Sequence, residues 1–347
     1  MESDTTWDML EGLDELDHRV VHALQIDGRA PFRRIGEVLG VSDQTVARRY
    51  GRLRSSGLLR VVGLTDPHRI GVTPWFVRVR CTPDAAASVS EALARRTDTR
   101  WVSLISGGTE IFCLVQAALP QGDDSLLLQK LPRTPRVVQV TAQAMLHVFF
   151  GQDLSPVTKA GWLSADEARA LVVADAQAPA PESTAPYPLA SDDQPLLDAL
   201  AVDGRTPAAE LAEVTGWSQT TVRRRMSELR AAGVLYYDLD FDRRALQPAL
   251  RTGLWLEVEP ARLAEVGAAL AAHHEIAFAA ATTGTANVYA SVNCQDASAL
   301  YRYLTGPVAE LPGIRRTETS PLHRTIKGAS PLPAPSARTR LADADRT

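Results

Sequence analysis

Apolar residues recur at helical spacing from Leu16 to Ile26 and stop at Asp27-Gly28, where glycine can take the left-handed conformation that ends a helix. A second apolar stripe, Ile35, Val38 and Leu39, begins after Pro31 and ends at Gly40. Only Val41 then separates it from Ser42, whose hydroxyl can cap a third helix. Two helices joined by so short a turn predict a helix-turn-helix. On a 3.6-residue wheel Val46, Tyr50 and Leu53 face inward, and Gln44, Arg48 and Gly51 face outward.

The same pattern returns about 176 residues later, with the DGR turn, the following Pro, a G-x-S turn, a T-V-x-R-R stretch and a final Gly all repeated. Its wheel places Val222, Met226 and Leu229 inward and Thr220, Arg224 and Ser227 outward. After each copy the periodicity predicts β-α-β-β-α-β, the ferredoxin-like split unit. In the first half the strands are Trp75 to Cys81, Trp101 to Ile105 and Glu110 to Gln116, with a helix near Leu126 and a last strand near Val137. In the second they are Leu254 to Val258, Ala277 to Thr282 and Asn287 to Val292, with a helix near Leu300 and a last strand near Arg315.

The expected fold class is therefore α+β, two winged helix-turn-helix domains alternating with two ferredoxin-like domains. The boundaries read as 13–66, 70–151, 189–242 and 250–328, with a solvated linker over 152–188 and a disordered tail over 329–347.

Composition is that of a globular protein, 45% hydrophobic and 22% charged over 347 residues. No apolar run reaches the roughly 20 residues of a bilayer span. The opening stretch is acidic and lacks the basic region of a secretory leader, so a cytoplasmic location is expected. Cys81, Cys113 and Cys294 are scattered, without metal spacing, and are expected to be reduced and buried. No metal, cofactor or catalytic residue is expected, since no triad, Walker loop or HExxH stretch occurs.

A net charge of −4 is less informative than where the charge lies. Between Gly28 and Arg60 stand eight arginines, at 29, 33, 34, 48, 49, 52, 54 and 60, against Glu37 and Asp43 alone. That excess predicts phosphate contact. The second copy is less basic: Glu210 replaces Arg34 and Glu228 replaces Arg52. Double-stranded DNA is thus the expected partner. Its candidate contacts are Ser42, Gln44, Thr45, Arg48, Arg49, Arg52 and Arg54 in the first copy, and Ser218, Thr220, Thr221, Arg223 and Arg224 in the second, with the first copy dominant.

The LDxLDxxVVxALQxDGR stretch, the G-V-S turn, R-R-x-x-x-L and S-x-G-L-L resemble the Lrp/AsnC feast/famine regulators. Members of that family join a winged helix-turn-helix to a βαββαβ (RAM-type) effector domain, and this chain looks like a fused, tandem version. The resemblance implies a transcriptional regulator, not an enzyme, that forms homo-oligomers of at least dimer size. It implies a small effector, usually an amino acid, beside the strand hairpins: Ser106, Gly107, Gly108 and Glu110 in one half, Thr283, Gly284, Thr285 and Asn287 in the other. Glu110 would hold an ammonium group. Both halves lack the Asp common near these positions. Open sheet faces or edges give a second reason to expect association. The alternative of the same architecture is a siroheme decarboxylase, for which His147 and His323 would hold equivalent places on the last strands.

Overall fold

The computed structural model describes residues 13–82, 84–116, 130–131, 133–151, 156–172, 185–241 and 250–329. Asp14 opens α1 (Glu15–Ile26) with a capping box to Asp17, and Asp27 ends it. Next, α2 (Phe32–Leu39) starts behind Pro31 and closes on Gly40 at φ 70°. Then α3 (Asp43–Ser55) is capped by Ser42, whose Oγ accepts from the Thr45 N–H at 3.1 Å. Strand β1 (Leu59–Thr65) follows.

The first α+β half comprises β2 (Trp75–Cys81), α4 (Ala86–Ala94), β3 (Thr99–Ile105), β4 (Glu110–Val115) and β5 (Val137–Phe150). The helix expected near Leu126, much of the linker and the tail beyond Ala329 lie outside the described residues. A short helix α5 (Ala165–Leu171) precedes the second copy, which holds α6 (Gln194–Val202), α7 (Ala208–Thr215), α8 (Gln219–Ala231) and β6 (Leu235–Phe241). The second α+β half is β7 (Leu250–Val258), α9 (Leu263–Ala272), β8 (Ile276–Thr282), β9 (Val288–Cys294), α10 (Ala297–Tyr303) and β10 (Ile314–Thr325).

The chain condenses by type into two units. In one, both helix-turn-helix copies share a single core that joins Val20, Leu24, Ile35, Val46 and Leu53 to Leu196, Leu200, Leu211, Val222 and Leu229. The strand after each reader is not a free wing. β1 and β6 pair antiparallel from Leu59↔Phe241 to Thr65↔Leu235, so each copy completes the other's sheet.

The segment expected as linker has structure of its own. Val157 and Leu163 are buried, Ser164 and Glu167 form a capping box, and Leu171 is fully buried in the same core. Trp162 stacks on His18 of α1 with ring centroids 4.5 Å apart, Arg19 pairs with Glu167, and Arg34 donates to the carbonyls of Ala170 and Val172 at 2.7 and 3.1 Å. Leu163, Leu171 and Trp162 supply apolar area, which is what a solvated linker lacks.

In the other unit the two four-stranded halves form one closed barrel, ordered β10-β3-β4-β2-β5-β8-β9-β7. Each half keeps the ferredoxin-like order, and the last strand of each pairs with the second strand of the other. Its interior is filled by aromatics: Phe76, Phe112, Trp255 and Tyr289 meet at centroid separations of 4.5 to 6.3 Å. The open edges expected to drive association do not exist among the described strands, because the halves close on each other.

Candidate nucleic-acid interface and effector hairpins

The third helix of each copy is positioned by its buried stripe. Val46, Tyr50 and Leu53, and likewise Val222, Met226 and Leu229, are buried, while Gln44, Arg48, Gly51, Thr220, Arg224 and Ser227 are exposed. Both helix wheels therefore place inside and outside as the spacing predicted. Ser42 with Thr45, and Ser218 with Thr221, spend their hydroxyls on capping and on each other, at 2.9 and 2.8 Å.

Most of the arginines in the basic stretch have partners within the protein. Five of the eight arginines pair with carboxylates: Arg33 with Glu37, Arg49 with Asp14 and Asp17, Arg52 with Asp17, Arg54 with Asp203 at 2.5 Å, and Arg60 with Asp240 at 2.8 Å. Arg29 and Arg34 donate to backbone carbonyls. Arg48 is exposed and meets no partner among the described residues. In the second copy Arg224 pairs with Glu228, Arg223 donates to Gln219 at 3.2 Å, and Arg225 grips Asp193 at 2.6 Å.

Arg49 and Arg225 are thus clamps that tie the third helix to the first. Arg49 lowers the Asp14 carboxyl below its ordinary range, and Arg225 does the same to Asp193. Buried Asp17 and Asp193, the anchors of these clamps, were not singled out from sequence.

The repeated DGR turn is an interface between the copies. Arg29 donates to the carbonyls of Gly204 and Thr206 at 2.6 and 3.1 Å, and Arg205 to those of Gly28 and Ala30 at 2.7 and 3.1 Å. Arg205 also lies over the Phe32 ring at 4.3 Å. Arg54 reaches Asp203, and Arg230 reaches Asp27 at 3.4 Å.

At the hairpins, Glu110 is buried and fully engaged by Arg78 at 2.8 Å, Arg80 at 2.7 Å and the Ser106 hydroxyl at 3.3 Å. Burial pushes its carboxyl up, but the hydrogen bonds and charges of Arg78 and Arg80 outweigh this and hold it below the usual range. It is not free to receive an ammonium group. Gly107 and Gly108, at φ 70° and 84°, leave open space where side chains would stand. In the other hairpin Gln143 donates to the carbonyls of Thr283 and Ala286, and a side chain on Gly284 would strike it at 2.7 Å. Thr283 Oγ1 accepts from the Ala144 N–H, Asn287 bonds both backbone groups of Val258, and Thr285 is exposed.

The AsnC-type helix-turn-helix domain matches residues 13–54 and 191–230, and the Lrp/AsnC ligand binding domain matches residues 254–332. An uncharacterized HTH-type transcriptional regulator of Pyrococcus furiosus is 31% identical over 121 residues, 34% of this chain and 82% of that protein. This chain belongs to the Lrp/AsnC family. Another relative, HTH-type transcriptional regulator FL11 of Pyrococcus horikoshii, is 26% identical over 147 residues, 42% of this chain and 97% of its own length. The duplicated match to the helix-turn-helix domain marks this Lrp/AsnC member as a tandem form.

The fold is also similar over its whole length to the siroheme decarboxylase NirDL, with a TM-score of 0.61 at 13% identity, covering 96% of this chain and 100% of that one. The histidines expected at equivalent places are one residue out of register. His147 pairs with Ala281, whose counterpart Leu104 pairs with Arg324, and His323 falls in the bulge of β10 before it. Both histidines are exposed. The three cysteines are free and buried, and burial raises Cys113 to about 12. Among the described residues there is no His/Cys/Asp/Glu cluster able to hold a metal and no helix long and apolar enough to cross a membrane.

Proposed function

We propose that this Lrp/AsnC protein is a sequence-specific, double-stranded-DNA-binding regulator that reads the major groove with the outer faces of α3 and α8. The observation that carries this reading is Arg48, exposed and without a partner among the described residues, beside exposed Gln44 on a helix clamped from behind by Arg49. Arginine and glutamine are the side chains that pair bidentately with guanine and adenine edges. Because so many of the first copy's arginines are committed within the protein, phosphate contact rests on fewer charges than the sequence count suggests, and the salt slope should be shallow. A small effector fits best at the open Gly107-Gly108 turn, where bare backbone can approach it.

The test is anisotropy titration of the full chain with an enriched duplex and a scrambled duplex at two salt concentrations. The reading requires at least tenfold preference for the enriched duplex, and equal affinity would sink it. The second reading, a tetrapyrrole enzyme, is favoured by the full-length similarity to NirDL. It predicts a bound, absorbing tetrapyrrole on the purified protein and loss of that absorbance in His147→Ala.

A further inference from the structure

We infer that the operator is asymmetric: two unlike half-sites in inverted orientation, so that the protein sits on DNA in one direction only. This rests on the DNA-binding reading above and extends it to the kind of site recognised.

The argument begins with the β1–β6 ladder. Val62 lies opposite Asp238, and these residues hold the same place in the two copies. Every other pair maps onto another pair when the copies are exchanged: Leu59↔Phe241 becomes Leu235↔Thr65, and Arg60↔Asp240 becomes Tyr236↔Leu64. An antiparallel ladder centred on equivalent residues is what a local two-fold axis produces.

The side chains of the repeated DGR turns and third-helix ends obey the same exchange. The Arg29 and Arg205 contacts are reciprocal, as are Arg54 with Asp203 and Arg230 with Asp27. Both third helices start from the same serine cap, with Oγ to N distances of 3.1 Å in each. The two readers are therefore presented as a symmetric dimer presents its own, and two-fold-related helices read inverted sequence.

In a homodimer the half-sites would also be identical. Here they are not, because the two helices differ at four of five positions on or beside their outer faces. Gln44 corresponds to Thr220, Ala47 to Arg223, Gly51 to Ser227, and Arg52 to Glu228. The fifth pair is alike in type but not in state: Arg48 is free among the described residues, and Arg224 is held by Glu228. The first reader offers bidentate partners for purine edges, whereas the second offers a hydroxyl, a methyl group, exposed Arg223 where the first has Ala47, and an Arg224 that must leave a carboxylate first. One covalent chain holds both, so the second contact gains from tethering without needing a strong interface of its own.

The test is enrichment of the full-length protein on a random duplex library, followed by sequencing. The expected product is an inverted pair of different motifs, with single-base changes in the first motif lowering affinity about tenfold and those in the second about threefold. Arg48→Ala should erase the first motif and leave the second. The combined variant Thr220→Gln, Arg223→Ala, Ser227→Gly, Glu228→Arg, which gives α8 the first copy's residues at these positions, should enrich a palindrome built from the first motif. A wild-type protein that enriches identical halves, or halves in direct repeat, would overturn the inference while leaving DNA binding intact. A folded protein that enriches no motif at all would remove both.

Discussion

The two helix-turn-helix copies are alike where they touch each other and unlike where they do not. Asp27 and Asp203, Arg29 and Arg205, and Arg54 and Arg230 are identical pairs, and all of them bridge the copies. On the outer side of α1 and α2 the first copy has His18, His22, Arg19, Arg34 and Val38, covered by the 156–172 segment. The second copy has Gln194, Asp198, Pro195, Glu210 and Val214 at those places, and Asp198, Glu210 and Val214 are exposed. Replacement of Arg34 by Glu210 therefore follows where the intervening segment docks, since Arg34 donates to that segment's carbonyls and Glu210 stands exposed. The difference teaches that charge in one copy has meaning only once its partners in the other are known.

The strongest blow to this comparison would come from the shared interface. Arg205→Ala removes two charged hydrogen bonds and a stacked cation, and should cost about 3 kcal/mol in urea denaturation of the full chain. A loss below about 1 kcal/mol would mean that the copies stand alone.

Next in size is the pH dependence that only the first copy should have. Burial beneath Trp162 lowers the His22 imidazole to about 4 from 6.5. The unfolded chain takes up that proton first, so this stability is complete above about pH 6.5 and drains away toward pH 4, by about 2–3 kcal/mol. Melting temperature followed against pH should lose this component in His22→Phe.

Smaller still is the split between the readers. Arg48→Ala should weaken duplex binding about tenfold and lower the salt slope by about 1, with Arg224→Ala costing about threefold. Equal losses would erase the functional half of the comparison. Smallest, Arg49→Gln should cost about 1 kcal/mol of folding stability while leaving the salt slope unchanged, because its charge is already spent on Asp14 and Asp17.

Local periodicity carried much of this structure. The wheel separating Val46, Tyr50 and Leu53 from Gln44, Arg48 and Gly51 needed only the pitch of a helix, and the strand from Trp75 to Cys81 was legible from its residues. Leu254 to Val258 was read four residues short, because Arg251 and Gly253 break an otherwise apolar alternation. What escaped was non-local. Arg54 and Arg60 look like phosphate ligands until Asp203 and Asp240, far along the chain, are brought beside them. Glu110 looks like a ligand for an amine until Arg78 and Arg80 arrive from the neighbouring strand. The DGR turn carried a usable signal, since an arginine kept in both copies beside a helix end already hinted at a contact between them.

The barrel closes only when β10, near the end of the described chain, pairs with β3, near its beginning. Until the ribosome has delivered the second half, β3 and β5 emerge as bare hydrogen-bonding margins, the kind of surface that captures stray strands. Such distant pairings make for slow maturation. A prematurely terminated product ending near Gly151 would carry the same two margins permanently, and its natural escape would be to find a second truncated copy and rebuild the missing half from it.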